Sequence, residues 1–287
     1  MAHPLSLAVV GSINLDLVAR VRDFPRDGET ISDARLEHHP GGKGGNQALA
    51  ARRLGAEVAM VACVGDEPNA DRALAQLREA GVDISRVRRL AGENTGVAMI
   101  LVDARGENQI VVAPGANARF EARYLDLPDA DGVIAQLEVP MDTLIELARR
   151  HAGFFCLNAA PARPVDPAVL EHTDLLVVNE LEAEAIGPHL AEYGGWLAVT
   201  YGASGAELTR EGSWVASSQS PRVDSVSSVG AGDAFTAALA VSLMQELPPE
   251  EALVRACAAG AIATTRHGAQ CAPTSAEIDR LLTGSQH

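Results

Sequence analysis

The chain has 287 residues, of which 47% are hydrophobic and 21% are charged, enough apolar material for a large core; this argues against a disordered, collagen-like or coiled-coil protein. Its 23 basic and 38 acidic residues leave a formal charge of −15, and no run of Lys and Arg exceeds two residues. Such a surface repels a phosphate backbone, so nucleic acid is excluded as a partner.

The first part of the chain alternates predicted strands with predicted helices. Residues 5–13 form an apolar run that ends in polar positions, as a buried strand does. Residues 45–54 have helical spacing, residues 57–64 form a second strand, and residues 69–80 form a second helix; each helix stops at a glycine. This alternation is typical of a three-layer α/β domain with a mostly parallel sheet.

Two segments, 18–39 and 95–112, break the alternation. Short β-like stretches follow one another there, split by turn residues and without an intervening helix. They predict a small appended β-sheet, formed by about residues 14–40 and 94–112, that acts as a lid. Because the chain has no internal repeat and no low-complexity linker, we predict a single domain over residues 1–287.

From residue 132 onward the alternation resumes and then gives way to a helical tail. The predicted strands cover 132–136, 154–158, 175–179 and 196–200, and the predicted helices cover 141–151, 180–186, 233–246, 250–266 and 275–282.

The four cysteines, Cys63, Cys156, Cys257 and Cys271, are widely spaced and include no C-x-x-C pair. They predict buried free thiols rather than a disulfide framework or a zinc site. No apolar run approaches the roughly 20 residues of a membrane span, and the amino-terminal residues lack the order of a signal peptide. We therefore expect a cytoplasmic protein without a membrane partner.

Of the 23 basic residues 22 are arginines, and the single lysine, Lys43, lies in the run Gly41-Gly42-Lys43-Gly44-Gly45-Asn46. Glycines in this run would let backbone amides approach a ligand, and Lys43 and Asn46 supply further donors. The run matches neither the Walker pattern nor the dinucleotide fingerprint. A tight strand-to-helix turn explains it about equally well.

A second glycine motif, Gly230-Ala231-Gly232-Asp233, stands directly before an apolar helix. The first amides of that helix would be free at its positive end, which favours an anion. Asp233 by itself could be an ordinary helix cap. A carboxylate beside an anion-binding turn is also what phosphoryl transfer from ATP to an alcohol requires, because the turn stabilises developing charge and the carboxylate accepts the hydroxyl proton.

These motifs, together with Gly11-Ser12-Ile13-Asn14-Leu15-Asp16 and Asn158-Ala159-Ala160-Pro161-Ala162-Arg163, resemble the phosphofructokinase-B-like ribokinase family of ATP-dependent sugar kinases, and the likeness covers essentially the whole chain. The resemblance implies a three-layer α/β/α domain with a mostly parallel sheet and a small β-sheet lid. It also implies ATP and Mg²⁺, phosphorylation of the primary hydroxyl of a pentose with D-ribose as first candidate, and a homodimer formed through the lid.

The resemblance implies a role for each matching residue. Asp233 would be the base, and the anion hole would be formed by Gly230, Ala231 and Gly232. The sugar would be held by Asn14, Asp16, Gly42, Lys43, Asn46, Glu138 and Asp233. The nucleotide would be bound by Asn179, Thr200, Gly202, Ser204, Gly205, Gly232 and Cys257. Glu182 would contact Mg²⁺ through water.

One departure from the family concerns a monovalent cation. Where the family has a carboxylate and a serine as side-chain ligands, this chain has Ser227 and Ala272. Backbone carbonyl groups would remain to line the pocket, those of Val229, Ala263, Arg266 and Gly268. Because a pocket without its carboxylate holds K⁺ weakly, we expect weak or absent activation by K⁺.

Two alternatives remain open. The first is a nucleoside kinase or another sugar kinase of the same family, since a nucleoside also carries a furanose with a vicinal diol. The second is a non-catalytic sugar-binding regulator, which the altered cation pocket would suit. The presence of Asp233 and Glu182 argues against the second alternative.

Overall fold

A computed structural model of the protein describes residues 4–284 and contains two separate β-sheets. The strands, numbered in chain order, divide between them as follows. The large sheet contains β1 (Ser6–Val10), β4 (Glu57–Gly65), β5 (Val87–Leu90), β8 (Gly132–Gln136), β9 (Phe154–Asn158), β10 (Leu175–Asn179), β11 (Trp196–Thr200), β12 (Ala206–Arg210) and β13 (Ser213–Ser218). The small sheet contains β2 (Asn14–Arg20), β3 (Arg35–Gly41), β6 (Gly96–Val102) and β7 (Asn108–Ala113).

The large sheet has the strand order β13-β12-β11-β10-β9-β8-β1-β4-β5. All neighbours from β11 to β5 pair in parallel, and Val9 of β1 lies between Met60 of β4 and Ile134 of β8. Strands β12 and β13, of which β13 forms one edge of the sheet, are antiparallel and form a hairpin that was not predicted from the sequence. Its two-residue turn, Glu211-Gly212, has positive φ at both positions, as tight hairpin turns require.

Eight α-helices accompany the sheets in the described chain, and most of their bounds agree with the predictions to within two residues. They are α1 (Lys43–Arg53), α2 (Pro68–Glu79), α3 (Met141–Arg150), α4 (Pro167–Leu170), α5 (Glu180–Ile186), α6 (Ala231–Met244), α7 (Pro249–Thr264) and α8 (Ser275–Gly284). Helix α6 begins two residues before its predicted start. Asp233 is therefore the third helical residue, and Gly230 occupies the cap position.

The helices cover both faces of the large sheet and enclose two apolar cores. One core packs α1, α2, α6, α7 and α8 against the sheet. The other packs α3, α4 and α5 against the opposite face. This confirms the predicted three-layer α/β/α fold. Helix α6 is buried continuously from Asp233 to Ser242, as expected of a helix that is apolar on all sides.

The small sheet has the order β3-β2-β6-β7 and forms from the two segments that the sequence singles out. Strand β2 starts four residues after β1 ends, so the small sheet stands at the carboxyl ends of the parallel strands. All four cysteines are buried free thiols, as predicted. Among residues 4–284, no helix is both long and apolar enough to cross a membrane.

Candidate active site

A cavity of about 330 Å³ lies between the carboxyl ends of the parallel strands and the small sheet. This edge is where open α/β sheets bind ligands. Every residue expected to hold a sugar lines the cavity: Asn14, Asp16, Gly42, Lys43, Asn46, Glu138 and Asp233. The small sheet covers it with the apolar side chains Ala98, Ile100, Ile110 and Val112.

Asp233 is a buried carboxylate whose two oxygens are both held by side-chain amides. Its Oδ2 accepts a hydrogen bond of 2.8 Å from Nδ2 of Asn46, and its Oδ1 accepts one of 2.9 Å from Nε2 of Gln47. Burial raises the pKa of Asp233, whereas Lys43 and the two amides lower it. The side chain is thus fixed in a place where accepting a proton is easier than in water.

The turn before α6 offers amides beside this carboxylate. Gly230 adopts a left-handed conformation with φ of 81°, which a residue with a side chain rarely takes. The amide of Ala231 already donates to Ser228 O at 3.3 Å, whereas those of Gly232 and Asp233 are first-turn amides without an intrahelical acceptor. Of the three residues predicted for the anion hole, Ala231 therefore has its amide bonded within the turn, whereas helix geometry leaves the amide of Gly232 free.

The glycine run before α1 is closed by groups of the protein itself. Glu138 accepts hydrogen bonds from the amide of Lys43 at 3.0 Å and from the hydroxyl of Ser12. The amide of Gly44 donates to Ser12 Oγ at 3.3 Å, and that of Gly45 to Ser12 O at 3.0 Å. The amides of Lys43, Gly44 and Gly45 therefore have acceptors within the protein, as a tight strand-to-helix turn predicts. The turn brings the side chains of Lys43 and Asn46 to the cavity.

Close packing explains why glycines occupy this turn. A Cβ atom on Gly42 would lie 2.7 Å from the amide nitrogen of Asn14, and one on Gly44 would lie 2.6 Å from that of Ser12. Both distances are too short for non-bonded atoms. Glycine at these two positions lets α1 begin directly against the end of β1, which brings Lys43 and Asn46 to the cavity.

Asn14 and Asp16 enter the cavity from the first residues of strand β2 in the small sheet. Nδ2 of Asn117 donates to Oδ1 of Asn14 at 2.8 Å, which leaves the amino group of Asn14 directed away from that bond. The Oδ1 atom of Asp16 is buried without a hydrogen-bond partner in the described part of the chain. Burial, with Glu138 and Asp233 nearby, raises the pKa of Asp16 to about 7.

Lys43 is the only basic side chain that lines this cavity among the described residues, and four carboxylates line it as well. Burial lowers the pKa of the Lys43 ammonium, but Asp233, Glu138 and Glu182 outweigh burial and hold that pKa above its usual value. The ammonium therefore stays charged. Lys43 is therefore the positive side chain that an anionic ligand bound between Asp233 and Glu182 would meet.

Asn179 and Glu182 line the cavity at the start of α5 and form a reciprocal capping box. The amide of Asn179 donates to Glu182 Oε2 at 2.8 Å, and the amide of Glu182 donates to Asn179 Oδ1 at 2.9 Å. Burial raises the pKa of Glu182. Since capping uses one carboxylate oxygen, the other can serve a ligand.

A second cavity, of about 360 Å³, adjoins the first and shares Thr200, Ser228 and Gly232 with it. Its wall is mostly small or apolar. The predicted nucleotide-binding residues on it are Thr200, Gly202, Gly205, Gly232 and Cys257. Of the two remaining predicted residues, Asn179 lines the first cavity, and Ser204 is exposed on the outside of the turn Gly202–Ser204.

The predicted cation pocket contains a thiol. Sγ of Cys271 lies 3.3 Å from Ala263 O, 3.7 Å from Val229 O and 3.8 Å from Ala269 O. Ala263 O also accepts the amide of Arg266 at 3.3 Å. Two carbonyl groups expected to face a cation therefore face a side chain of the protein. Within residues 4–284, no group of three or more His, Cys, Asp or Glu side chains could hold a metal ion.

Sequence reasoning missed three residues that build the site: Ser12, Gln47 and Asn117. All three are buried and polar. Ser12 lies inside a motif that resembles the sugar kinases and Gln47 directly follows another, so their positions could have identified these two residues. Their partners could not be deduced from spacing, because Asn117 contacts Ile13 and Asn14 more than 100 positions away, and Gln47 contacts Asp233 across 186 positions.

Comparisons with known proteins show which proteins this chain resembles. The model of the pfkB family of carbohydrate kinases matches residues 5–275. The ribokinase of Bacillus subtilis is 35% identical over 293 residues, covering 97% of this chain and 99% of that protein. The crystal structure of a ribokinase from Thermotoga maritima superposes with a TM-score of 0.89 at 32% identity, covering 97% and 99% of the two chains. An Arabidopsis thaliana ribokinase complexed with ribose and ATP has a TM-score of 0.84 at 27% identity, covering 98% and 99%.

Proposed function

The chain belongs to the pfkB family of carbohydrate kinases, and we propose that it transfers a phosphoryl group from ATP to the primary hydroxyl of D-ribose, giving ribose 5-phosphate. One observation carries the proposal. Asp233, a buried carboxylate, and the free first-turn amides of α6 stand where a polar cavity meets a second, mostly apolar one. A hydroxyl in the first cavity and a triphosphate in the second would meet there.

In this reaction Asp233 accepts the proton of the attacking hydroxyl. The amides of Gly230 and Gly232, together with Lys43, stabilise the charge on the transferred phosphoryl group, while the amide of Ala231 stays bonded to Ser228 O. Asp16 accepts hydrogen bonds from two neighbouring sugar hydroxyls, since one carboxylate can accept both. Asn14 and Asn46 supply amide groups to the sugar, and Gly42 and Glu138 shape its pocket.

The second cavity suits a nucleoside. Gly202, Gly205 and Thr200 would line the triphosphate path, and Cys257 would lie against the adenine. Burial raises the pKa of Cys257, so this thiol remains neutral and serves as apolar surface. The wall is mostly small and apolar, and Arg222 is the charged residue among the described residues that line it.

Magnesium would reach the site with ATP. Glu182 and Asn179 offer only oxygen ligands, which Mg²⁺ prefers, and the carboxylate oxygen of Glu182 that capping leaves free can hold a water of its shell. These residues therefore fit Mg²⁺. The ion would neutralise phosphate charge in a cavity that already holds four carboxylates.

The residues at the predicted cation pocket do not fit K⁺. Ser227 and Ala272 provide no carboxylate, and the Cys271 thiol stands against the carbonyl groups of Ala263 and Val229. We expect that adding K⁺ at about 100 mM, a concentration near physiological ionic strength, raises turnover weakly or not at all relative to potassium-free buffer. A large stimulation by K⁺, with Na⁺ as the ionic-strength control, would contradict this part of the proposal.

The small sheet would act as a lid and as a dimer surface. One face covers the sugar cavity with Ala98 and Ile110. Leu36, Met99 and Val111 are exposed, and Met99 pairs with Val111 on the opposite face. An apolar face of this kind suits a second copy of the chain, so we propose a homodimer through the lid. We also propose a cytoplasmic location, where ATP is available.

A nucleoside kinase is the second candidate, because a further cavity of about 270 Å³ adjoins the first at Asp16 and Ile100. It has room for a base attached to the sugar. A coupled ADP assay with ribose, deoxyribose, fructose, adenosine and pseudouridine ranks the candidates. We expect the highest kcat/KM with ribose. Preference for a nucleoside would replace the first proposal, and ribose binding without ADP from any acceptor would indicate a regulator.

A further inference from the structure

Behind Asp233 the protein buries a connected set of amide side chains that the proposed reaction does not itself use. Gln47 of α1 and Gln136 at the end of β8 are fully buried, and Asn158 at the end of β9 is 6% exposed. Nε2 of Gln136 donates to Oε1 of Gln47 at 2.6 Å. Nε2 of Gln47 in turn donates to Oδ1 of Asp233 at 2.9 Å and to Oδ1 of Asn158 at 3.0 Å.

This arrangement permits one orientation of the Gln47 amide. Its oxygen must face the amino group of Gln136, and its two N–H groups must face the two acceptors. The far end is also fixed, because Nδ2 of Asn158 donates to Val177 O at 3.2 Å. The set therefore ties the base on α6 to the ends of three strands, β8, β9 and β10, of the rigid sheet.

Gln47 also leaves Asp233 free to react. With Gln47 on Oδ1 and Asn46 on Oδ2, each carboxylate oxygen keeps one lone pair for a substrate hydroxyl. Donation to a carboxylate favours its ionised form. The charged groups that also act on Asp233 are Lys43, which favours ionisation, and Glu138, Glu182 and Asp16, which oppose it.

We propose that Gln47 is a positioning residue for Asp233: it fixes the carboxylate against the sheet and keeps it ionised for proton abstraction. The inference rests on the proposed function, because it assigns Asp233 the role of base. Gln47 lines neither the sugar cavity nor the nucleotide cavity, and it acts through its hydrogen bond to the reacting carboxylate of Asp233.

The test replaces Gln47 by Met, which keeps the length of the side chain and removes its donors. We expect kcat to fall roughly 10- to 100-fold because the base is no longer held. In a plot of kcat against pH, we expect the acid limb, where activity is lost as the base becomes protonated, to move up by about one pH unit. The reason is that Asp233 loses a hydrogen bond that favours its charged form. KM for ribose should change by less than about threefold, because Gln47 itself lies outside the lining of the sugar cavity.

Gln270→Met is the matched control. Gln270 is also buried beside α1, near Gly45, but its side chain has no hydrogen-bond partner among the described residues. We expect this variant to keep the acid limb of the wild type. The positioning role is overturned if Gln47→Met keeps the acid limb of the wild type, or if Gln47→Met and Gln270→Met shift the acid limb equally.

If Gln47→Met does not fold, Gln47→Glu takes its place, because glutamate is nearly identical to glutamine in shape. This variant should shift the acid limb further, because it adds a carboxyl group beside Asp233.

A double-mutant cycle on thermal stability tests the contact without any turnover. Gln47→Met and Asp233→Ala should be clearly non-additive if the two side chains are coupled, and additive values would overturn the inference. Failure of the proposed function is seen separately, as absence of ADP formation by the wild type with every acceptor. Failure of the inference is seen as an active Gln47→Met variant with an unshifted acid limb.

Discussion

The two cavities that meet at Gly232 have similar volumes and opposite chemistry. The cavity that we propose for the sugar, called the sugar cavity, holds Asp16, Glu138, Glu182 and Asp233 around the single ammonium of Lys43. The cavity that we propose for the nucleotide, called the nucleotide cavity, is lined mostly by small and apolar groups such as Ala261, Phe235 and Cys257. A charge buried in the first cavity raises the energy of the sugar-free protein, whereas the second cavity has no such cost.

The difference has a physical reason. A sugar offers only hydroxyl groups, so it is recognised by fixed donors and acceptors, which must be buried to be selective. A purine offers a large flat surface, which is recognised by fit. Substitutions of similar size should therefore have unequal effects in the two cavities, largest at the charged groups and smallest on the apolar wall.

The largest effect is expected for Asp233→Asn. Loss of the base should lower kcat on the order of 10²- to 10⁴-fold and leave ribose binding nearly intact. Steady-state ADP formation and calorimetric binding of ribose measure the two quantities. The control is Asp142→Asn, which alters a first-turn carboxylate on α3 and should leave both ADP formation and ribose binding unchanged. Unchanged turnover in Asp233→Asn would remove Asp233 from its role.

The turn shared by both cavities is tested by Gly230→Ala. Gly230 has φ of 81°, and a Cβ atom there would collide with Ala269 O. We expect a loss of about 1–3 kcal/mol in unfolding free energy and roughly 10- to 100-fold in kcat, because the amides of α6 shift. Gly92→Ala has a similar φ of 76° with open space around it. Equal losses in the two variants would show that the collision is irrelevant.

Asp16→Asn tests recognition by a buried charge. Losing one hydrogen bond to a charged acceptor should lower kcat/KM for ribose roughly 10- to 100-fold, mostly through KM. In the wild type the pKa of Asp16 is about 7, so kcat/KM should fall as pH drops below about 7 and the carboxylate becomes protonated. A pH profile of the wild type that stays flat from pH 8 to about 6 would contradict this.

Stability should change in the opposite direction with pH. The pKa of Asp16 rises from 3.8 to about 7 on folding, so the folded protein binds a proton that the unfolded chain releases between these values. The contribution of Asp16 is full below about pH 4 and is lost as pH rises through 7. The free energy of unfolding should therefore fall less steeply with pH in Asp16→Asn than in the wild type, as measured by denaturant titration.

The variant Lys43→Arg tests whether a positive charge at this position is enough for activity, whatever the shape of the group that carries it. The planar guanidinium is wider than an ammonium and would crowd the turn at Gly42, so we expect kcat/KM to fall roughly tenfold although the charge is kept. Lys43→Met, which also removes the charge, should lose more. Wild-type activity of Lys43→Arg would make the single lysine of this arginine-rich chain a coincidence.

The smallest effect is expected on the apolar wall. Cys257→Ala should raise KM for ATP less than about threefold, because it removes one small group from a wide surface. Cys257→Leu, which fills the space, should raise it roughly tenfold and leave ribose affinity unchanged. If Cys257→Ala alone abolished ATP binding, the nucleotide cavity would depend on a specific contact rather than on shape.

Much of this fold follows from local pattern. Apolar runs that end in polar residues predicted β1, β8, β9, β10 and β11 to within three residues at each end, since buried parallel strands need continuous apolar sequence. The hairpin β12–β13 was missed, because edge strands need no such run and Ser213–Ser218 is mostly polar or small.

The candidate site was predictable in its side chains but not in its hydrogen bonds. The motifs named Asp16, Lys43 and Asp233, and the structure gathers all three in one cavity. The residues of the glycine run suited either a ligand-binding loop or a tight turn, and Glu138, 95 positions from Lys43, accepts one of its amides. Such pairings depend on which strands become neighbours, which no local window contains.

Helix α6, buried from Asp233 to Ser242, has a consequence for engineering this enzyme. A base on a helix that is enclosed by the core cannot be moved to suit a longer or shorter substrate without repacking the whole layer. The opposite wall of the cavity, Ala98, Ile110 and Val112, belongs to the small sheet, whose strand β7 is exposed along its length. Redesign of acceptor range should therefore vary the small sheet and leave the α6 side untouched.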